Sequence, residues 1–262
     1  MNHLIMADLE GAAGVERFGQ TLHDQPFKVP AMRLLTEEVN ACIAGIFDAD
    51  PAARVLVIDR HCSGILPGRL DPRARCALWG EARKLIRPAY RGFDTYLYVG
   101  QHAMAGLPNA PLAHTDASKH IVYKRFNGVF VGEFGIEAIR AGAHGVPVIF
   151  FAGDDKAAAE ARALVPEIVT VVTKWGEGWQ KARHLDPRIA RVRIRAGAAA
   201  AVRRAREVKP LRVDPPYTHE IRFVHPRDFT KVRIEGVNIT QIDARTVLFR
   251  FDDIDKLQVT DF

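Results

Sequence analysis

The chain has 262 residues, of which 48% are hydrophobic and 26% charged, as in ordinary soluble globular proteins with a sizeable core. No apolar run approaches the roughly 20 residues that a membrane span needs, and the first residues lack the pattern of a secretory signal peptide. Three cysteines are too few for a disulfide framework. We therefore expect a cytoplasmic protein without a membrane partner.

The formal net charge of +6 comes mostly from an arginine-rich segment around residues 183–212. Nucleic-acid-binding surfaces usually cluster basic residues and interleave them with aromatic ones. The stretch RIARVRIRAGAAAAVRRAREVK is instead rich in alanine and valine and lacks aromatic residues. We therefore expect a solvated helical face and no nucleic-acid partner. Binding of DNA or RNA is the alternative, and a steep salt dependence would reveal it.

Apolar strands and helical patterns alternate from the start of the chain. HLIMADLEG predicts a first strand, and MRLLTEEVNACIAGIFDAD carries apolar residues at helical spacing. ARVLVIDRH and DTYLYVGQHA are further strands, followed by GVPVIFFAGDD, a helix over KAAAEARALV, and EIVTVVTKW. This alternation predicts an α/β fold, a mostly parallel sheet with flanking helices.

The composition and the hydrophobic pattern of the sequence change near residue 200. The helix that we expect at about residues 196–208 is followed by a proline-rich stretch and by the alternating segments HEIRFVH and TVLFRFDD. Alternation of this kind is typical of antiparallel strands with one solvated face. We therefore predict an α/β domain over residues 1–200, which carries the candidate site, and a smaller α+β part over residues 201–262.

Acids and histidines follow several of the predicted strands. The carboxyl ends of parallel strands meet at one sheet edge, where functional groups gather. Imidazole together with carboxylate suits zinc or another first-row divalent ion, such as manganese or cobalt. Each residue also has an ordinary explanation, as a half-exposed acid, a surface or core histidine, or a solvent-facing glutamate on a strand after the turn at Asn127–Gly128. The candidate metal ligands are Asp8, Glu10, His61, His102 and Glu133.

Other catalytic chemistries fit the sequence less well. It contains no GxSxG nucleophile elbow, no GxxxxGK[ST] phosphate loop, and no GxGxxG pattern after the first strand. Cys62 follows His61 directly, but adjacency in sequence is no sign that a thiol and an imidazole pair in space. A thiol enzyme is therefore a minor alternative.

The motifs ADLEG, DRH, GQHA, AHT and FNGVFVGEFG, in this order, resemble the zinc-dependent D-aminopeptidases associated with bacterial dipeptide-permease operons. The resemblance continues through GVPVIFFAGDD and VKPL and covers roughly residues 1–225. It implies an α/β protein that assembles into large ring-shaped homo-oligomers. It also implies two divalent ions, held by the five candidate ligands, and a catalytic rather than ligating role for His114.

Several positions depart from the family's usual pattern. Arg60 stands where a serine is usual before the second-motif histidine, and Cys62 follows that histidine. Gln101 occupies a position where the family often has tyrosine. These changes leave the ligands alone but alter the expected pocket walls, and they bear on the D-dipeptide substrate more than on the metal site.

The resemblance and the ligand set together predict a metal-dependent aminopeptidase that acts on short peptides, with or without a preference for D-residues. We expect Asp8 to bridge two ions and His114 to donate a proton or stabilise an oxyanion. Asp116 and Asp59 are candidates for holding the substrate ammonium, although orienting a ligand histidine is a more ordinary role for Asp59. The alternative is a binding or transport-linked protein with a structural or lost metal site.

Overall fold

A computed structural model describes residues 1–78 and 92–260 of the protein. The strands are β1 (Asn2–Ala7), β2 (Arg54–Asp59), β3 (Ala74–Leu78), β4 (Thr95–Gln101), β5 (Ile121–Phe126), β6 (Val129–Phe130), β7 (Val148–Asp154), β8 (Val169–Gly178), β9 (Lys181–His184), β10 (Tyr217–Phe223), β11 (Asn238–Asp243) and β12 (Thr246–Phe251). The α-helices of the described residues are α1 (Lys28–Ala49), α2 (Glu133–Ala143), α3 (Asp155–Leu164) and α4 (Pro187–Arg203).

Seven strands form a large sheet in the order β3-β2-β1-β4-β7-β8-β9. All neighbouring pairs are parallel except β8 with β9, which are antiparallel. β2 and β3 lie on one side of β1, whereas β4, β7 and β8 lie on the other. The chain therefore reverses direction across the sheet between β1 and β4, which is where parallel α/β sheets usually bind ligands, beyond the strand carboxyl ends.

Helices cover both faces of this sheet at its centre. Every residue of β4 and β7 is buried, so neither face of these strands is open to solvent. α1 packs against α4, and α2 packs against α3, while these helices also contact β4, β7 or β8. The continuous apolar runs of the sequence therefore correspond to doubly buried strands, which confirms the predicted α/β class.

Five antiparallel strands form a second sheet in the order β11-β12-β10-β5-β6. Burial alternates along β10 from Tyr217 to Phe223, as the alternating sequence predicted. β5 and β6 form a hairpin whose turn residues Asn127 and Gly128 have φ values of 46° and 80°, the left-handed values that a two-residue turn requires. This sheet takes strands from both sides of residue 200, and the proposed division there stays a prediction.

The helix expected at residues 196–208 was placed wrongly at its start. α4 begins at Pro187, directly after Asp186, whose side chain accepts the N–H of Arg188. An aspartate cap followed by proline is a standard helix start. On the exposed side of α4, Arg195 donates to Asp48 at 2.7 and 2.9 Å, as expected for a solvated helical face.

No helix among the described residues is long and apolar enough to cross a bilayer. All three cysteines are free: Cys42 is buried, and Cys62 and Cys76 are exposed. The structure is thus consistent with the expected absence of a disulfide framework.

Candidate metal centre

The segment after β1 runs against the end of β4. The N–H of Asp8 donates to the carbonyl of Val99 at 2.9 Å, and that of Gly11 to the carbonyl of Gly100 at 2.6 Å. A Cβ on Gly11 would lie only 2.0 Å from the carbonyl oxygen of Gln101, so this close approach requires glycine. Asp8 and Glu10 are thereby placed beside the residues that follow β4.

Buried polar groups fix this segment from behind. The ammonium of Lys174 on β8 donates to the carbonyls of Glu10 and Val15. The carboxylate of Glu38 on α1 accepts the N–H of Ala13 at 2.8 Å. Burial lowers the pKa of Lys174 to about 8 and raises that of Glu38 to about 7. The sequence analysis missed both residues, because no local pattern distinguishes a buried lysine from an exposed one.

The loop after β2 positions His61. The carboxylate of Asp59 accepts the N–H groups of Gly64 at 2.9 Å and Ile65 at 3.0 Å. His61 Nε2 donates to the carbonyl of Thr21 at 2.8 Å, since a carbonyl only accepts. His61 Nδ1 therefore faces the site, where it lies 3.0 Å from Glu10 Oε2 and 3.8 Å from Asp8 Oδ1. Asp59 thus orients His61 through the loop and not by a direct bond.

His102 is held at the end of β4 in a similar way. Its Nδ1 donates to the carbonyl of Ala103 at 2.9 Å, and the N–H of Ala103 donates to Asp154 at 2.7 Å. Its Nε2 points between two acids, 3.4 Å from Asp8 Oδ2 and 3.6 Å from Glu133 Oε1. That nitrogen is buried and makes no hydrogen bond among the described residues. A ring nitrogen left in this way is well suited to bind a metal.

Glu133 is the first residue of α2, so the alternative of a solvent-facing glutamate on a strand was wrong. Glu160 on α3 accepts the N–H of Gly132 at 2.7 Å and so fixes the start of α2. The side chain of Glu133 is 4% exposed and points back toward the end of β4. The hairpin turn before it was predicted, but the helix that begins at Glu133 was not.

His114 lies in the loop between β4 and β5. Its Nδ1 donates to the carbonyl of Leu112 at 2.8 Å, and its Nε2 lies 3.9 Å from Glu133 Oε1. The ring stacks on that of His102, with centroids 4.0 Å apart and planes at 10°. Leu112 and Asp116 on either side adopt left-handed φ values of 58° and 56°, which are strained for residues other than glycine.

The five candidate ligands and His114 form two groups of three, each with one donor atom per residue within 4.8 Å of the others. Asp8 belongs to the first group and also reaches the second, because its Oδ1 faces His61 while its Oδ2 faces His102. Nitrogen and carboxylate donors in this arrangement fit zinc. The first group is Asp8, Glu10 and His61, and the second is His102, His114 and Glu133.

Burial and mutual charge shift the protonation of these groups. Burial and the charge of Glu10 raise the pKa of Asp8 to about 7. Burial opposes a charged His61, but the hydrogen bond and charge of Glu10 raise the pKa of His61 to about 9. Burial and the neighbouring His102 lower the pKa of His114. His114 is therefore the member of this cluster best suited to stay neutral and accept a proton at Nε2.

A cavity of about 350 Å³ opens onto the two groups. Arg60 on its wall donates to Glu133 and Asp116 at 2.6 Å each, and Lys124 on β5 donates to Asp116 at 2.5 Å. The sequence singled out Arg60 only as a departure from the family pattern, and it gave no signal for Lys124. The cavity is lined by Asp8, Glu10, Arg60, His61, Cys62, His114, Asp116 and Glu133.

Comparisons with known proteins identify the family of this chain. A family model described as D-aminopeptidase, Peptidase M55, matches residues 1–260. A D-aminopeptidase of Bacillus subtilis (strain 168) is 30% identical over 224 residues, which cover 80% of this chain and 77% of that protein.

The fold is also similar to that of a solved structure. The zinc-dependent D-aminopeptidase DppA from Bacillus subtilis, described as a self-compartmentalizing protease, superposes with a TM-score of 0.87. The alignment covers 99% of this chain and 96% of that one at 24% identity, so it bears on the fold. With the family model matched over nearly the whole sequence, the chain belongs to the D-aminopeptidase family, Peptidase M55.

Proposed function

We propose that this chain is a zinc-dependent aminopeptidase that removes the N-terminal residue of short peptides at a two-ion site. The observation that carries the proposal is the position of Asp8 between the two donor groups, with one carboxylate oxygen toward each. A carboxylate so placed would serve two divalent ions at once. Family membership and the zinc-dependent relative support the same conclusion.

In this proposal Asp8, Glu10 and His61 would hold one ion, and Asp8, His102 and Glu133 would hold the other. Thr21 and Ala103 fix the tautomers of the two histidines by accepting from the nitrogen that faces away from the site. Histidine ligands are commonly oriented in this manner. Manganese or cobalt would fit the same donors.

Zinc, when bound, would supply Lewis-acid chemistry by polarising a carbonyl and by lowering the pKa of water that it binds toward about 7. His114 provides the acid–base group, since its Nδ1 donates to Leu112 and its Nε2 faces the cavity. Nε2 takes up a proton and later delivers it to the leaving amine. The stacked His102 disfavours a lasting positive charge on His114, which keeps the proton transferable.

Asp59 and Asp116 were the two candidates for binding the ammonium of the substrate, and the structure favours neither. Asp59 is 1% exposed and bonded to its own loop. Asp116 lines the cavity, but Arg60 and Lys124 already contact it, so an ammonium there would be a third cation on one carboxylate. The acids of the metal groups are the other negative side chains that line the cavity.

We further propose that the chain assembles into a homo-oligomer larger than a dimer and that it accepts D-residues at the N-terminus of its substrate. The family and the self-compartmentalizing relative support both statements. Of the departures from the family pattern, Arg60 and Cys62 line the cavity as expected, whereas Gln101 is fully buried and does not line it. Which N-terminal residue the pocket prefers is therefore a question for the substrate panel.

The test combines metal analysis with a substrate panel. Protein purified without chelator should contain close to two divalent ions per chain, and it should hydrolyse D- or L-aminoacyl amides when zinc, manganese or cobalt is added. Asp8→Ala should lose both ions, because one residue serves two sites, whereas Glu133→Gln should chiefly weaken one.

Asp48→Ala, which removes an exposed acid paired with Arg195, is the matched control and should retain both metal and activity. Substoichiometric metal in the wild type together with no hydrolysis of any substrate would favour the alternative, a binding or transport-linked protein. Full metal content in Asp8→Ala would contradict the bridging assignment.

A further inference from the structure

Arg60 joins three separate parts of the site. Its backbone N–H donates to the carbonyl of Ala7 at 3.0 Å, which fixes it beside the end of β1. Its Nε donates to Glu133 Oε2 and its Nη2 to Asp116 Oδ1, each at 2.6 Å. The side chain is only 10% exposed, so these ion pairs are largely shielded from water. Such charge-assisted contacts are much stronger than exposed ion pairs.

The first consequence concerns Glu133. Its Oε2 is occupied by Arg60, and its Oε1 accepts the N–H of Asp116 at 2.7 Å. Oε1 is also the atom that faces the ring nitrogens of His102 and His114. Arg60 therefore determines which carboxylate oxygen is presented to the second donor group.

The second consequence concerns the loop that carries His114. Asp116 lies two residues after His114, and its two oxygens contact Arg60 on one side and Lys124 on the other. Because Lys124 is on β5, this pair of contacts ties the loop both to the end of β2 and to the second sheet. A loop strained at Leu112 and Asp116 needs such external contacts to hold one conformation.

We propose that Arg60 is a positioning residue that fixes Glu133 as a one-oxygen ligand and holds the His114 loop against it. This inference rests on the proposed metal-dependent function. Arginine is suited to this role because its rigid planar fork contacts Glu133 and Asp116 at once, while its Nη1 lies 3.8 Å from Glu137 Oε1; the single ammonium of lysine acts as a point charge.

The decisive variant is Arg60→Lys, because it retains the positive charge and removes only the two-way geometry. Groups that orient a metal ligand typically contribute 10–100-fold to metal affinity. In a zinc titration against a competing chelator, Arg60→Lys should weaken one of the two dissociation constants by about 10–100-fold, while the other changes by less than about threefold. Turnover should fall with little change in KM.

Asp116→Asn separates the two proposed effects of Arg60, which are the orientation of Glu133 and the support of the His114 loop. It weakens the contact to the loop but leaves the Arg60–Glu133 pair intact, so zinc affinity should stay within about threefold of wild type while kcat falls at least about 10-fold. Arg195→Lys is the matched control, because Arg195 also makes two contacts to a carboxylate, Asp48, on the opposite, exposed side of the chain. Arg195→Lys should leave both zinc affinity and kcat unchanged.

If wild type binds no zinc, the proposed function itself fails. If wild type binds zinc and Arg60→Lys binds it with two unchanged constants, the function stands and the positioning role is overturned. A role confined to folding would lower the melting temperature of Arg60→Lys without separating the two constants, and that outcome also overturns the proposal.

Discussion

At the residue scale, we propose different tasks for the two stacked histidines of the site, because the ring nitrogens that face it have different neighbours. His102 Nε2 lies between Asp8 and Glu133, whereas His114 Nε2 faces Glu133 and the cavity. Stacking at 4.0 Å makes a second positive charge on the pair unfavourable. This geometry supports the proposal that His102 is a ligand and that His114 exchanges protons.

His114→Ala tests this division directly. The variant should fold and bind both ions normally but lose at least about 100-fold in kcat with little change in KM, because acid–base groups contribute about 10²–10⁴-fold. His120→Ala, an exposed histidine further along the same loop, is the control. Loss of an ion together with activity would identify His114 as a ligand. Retention of more than about a third of the turnover would leave less than 1 kcal/mol for any catalytic role.

Far from the site, His3 makes the stability of the fold depend on pH. Its ring is fully buried, Nδ1 lies 2.7 Å from Thr95 Oγ1, and burial together with the N-terminal ammonium lowers the pKa of His3 from 6.5 to about 4. The unfolded chain therefore binds one more proton between these two pH values. This contribution to the free energy of unfolding is fully present above pH 6.5 and disappears as the pH falls to 4.

Urea unfolding of wild type and His3→Gln at several pH values measures this effect. Near pH 7 the variant should be less stable, because it loses the buried contact with Thr95. Between pH 6.5 and pH 4 the difference should shrink or reverse by roughly 3 kcal/mol, as a shift of about 2.5 pKa units implies. His23→Gln, an exposed histidine, serves as the control. A difference in the free energy of unfolding between wild type and His3→Gln that stays constant with pH would contradict the lowered pKa of His3.

At the element scale, the contact between the ends of β1 and β4 determines where the candidate ligands Asp8 and Glu10 lie. Gly11→Ala would place a methyl group about 2.0 Å from a backbone oxygen that cannot move aside. Overpacking of this kind costs about 1–3 kcal/mol, and a clash with backbone belongs at the upper end. We expect a loss of about 3 kcal/mol in the free energy of unfolding, and weaker zinc binding as Glu10 shifts.

Gly68→Ala is the matched control, because no atom lies within 4 Å of the added methyl group. Its free energy of unfolding and its zinc affinity should stay near those of wild type. Equal behaviour of the two alanine variants in chemical denaturation would show that the β1–β4 contact is not tight.

The elements that sequence reasoning found are those with a local signal. Doubly buried strands, the amphipathic α1 and the Asn127–Gly128 hairpin each have a pattern within about 20 residues. The start of α4 had a signal too, Asp186 before Pro187, which was overlooked. β3 and β9 were missed because their residues lack long apolar runs and belong to the sheet only through pairing with β2 and β8.

The residues of the candidate site also separate into those that the sequence predicted and those that it did not. The five candidate ligands were proposed from their motifs and from the resemblance, and the structure places all five close together with His114. The Arg60–Asp116–Lys124 contacts join residues 56 and 8 positions apart through tertiary packing. Neither helical nor strand periodicity places these side chains together, so a single sequence contains no pattern that predicts them.

At the scale of the whole molecule, the proposed assembly is open to a direct measurement. Light scattering at micromolar concentration should give a mass well above that of a dimer. β11 is an edge strand of the second sheet, and Ile242 on it is 53% exposed. Edge strands pair readily with other chains, and charged residues on them oppose pairing. Ile242→Lys should therefore reduce the mass.

Val192→Lys, at an apolar position on α4 that is 66% exposed, is the control for that substitution and should leave the mass unchanged. A monomeric wild type would contradict the proposed assembly. A large assembly that both variants retain would mean that contacts other than the β11 edge hold the subunits together.

The pairing of β5 with β10 has a consequence for how the protein is made. On the ribosome, Ile121–Phe126 emerges about ninety residues before Tyr217–Phe223, the strand that covers its open edge. Until then the nascent hairpin exposes backbone donors and apolar side chains, the combination that favours aggregation of incomplete chains. Since Lys124 lies on that hairpin and Glu133 follows it, a polypeptide truncated before residue 217 would have every candidate ligand yet lack β10, the strand that supports the hairpin beside the site.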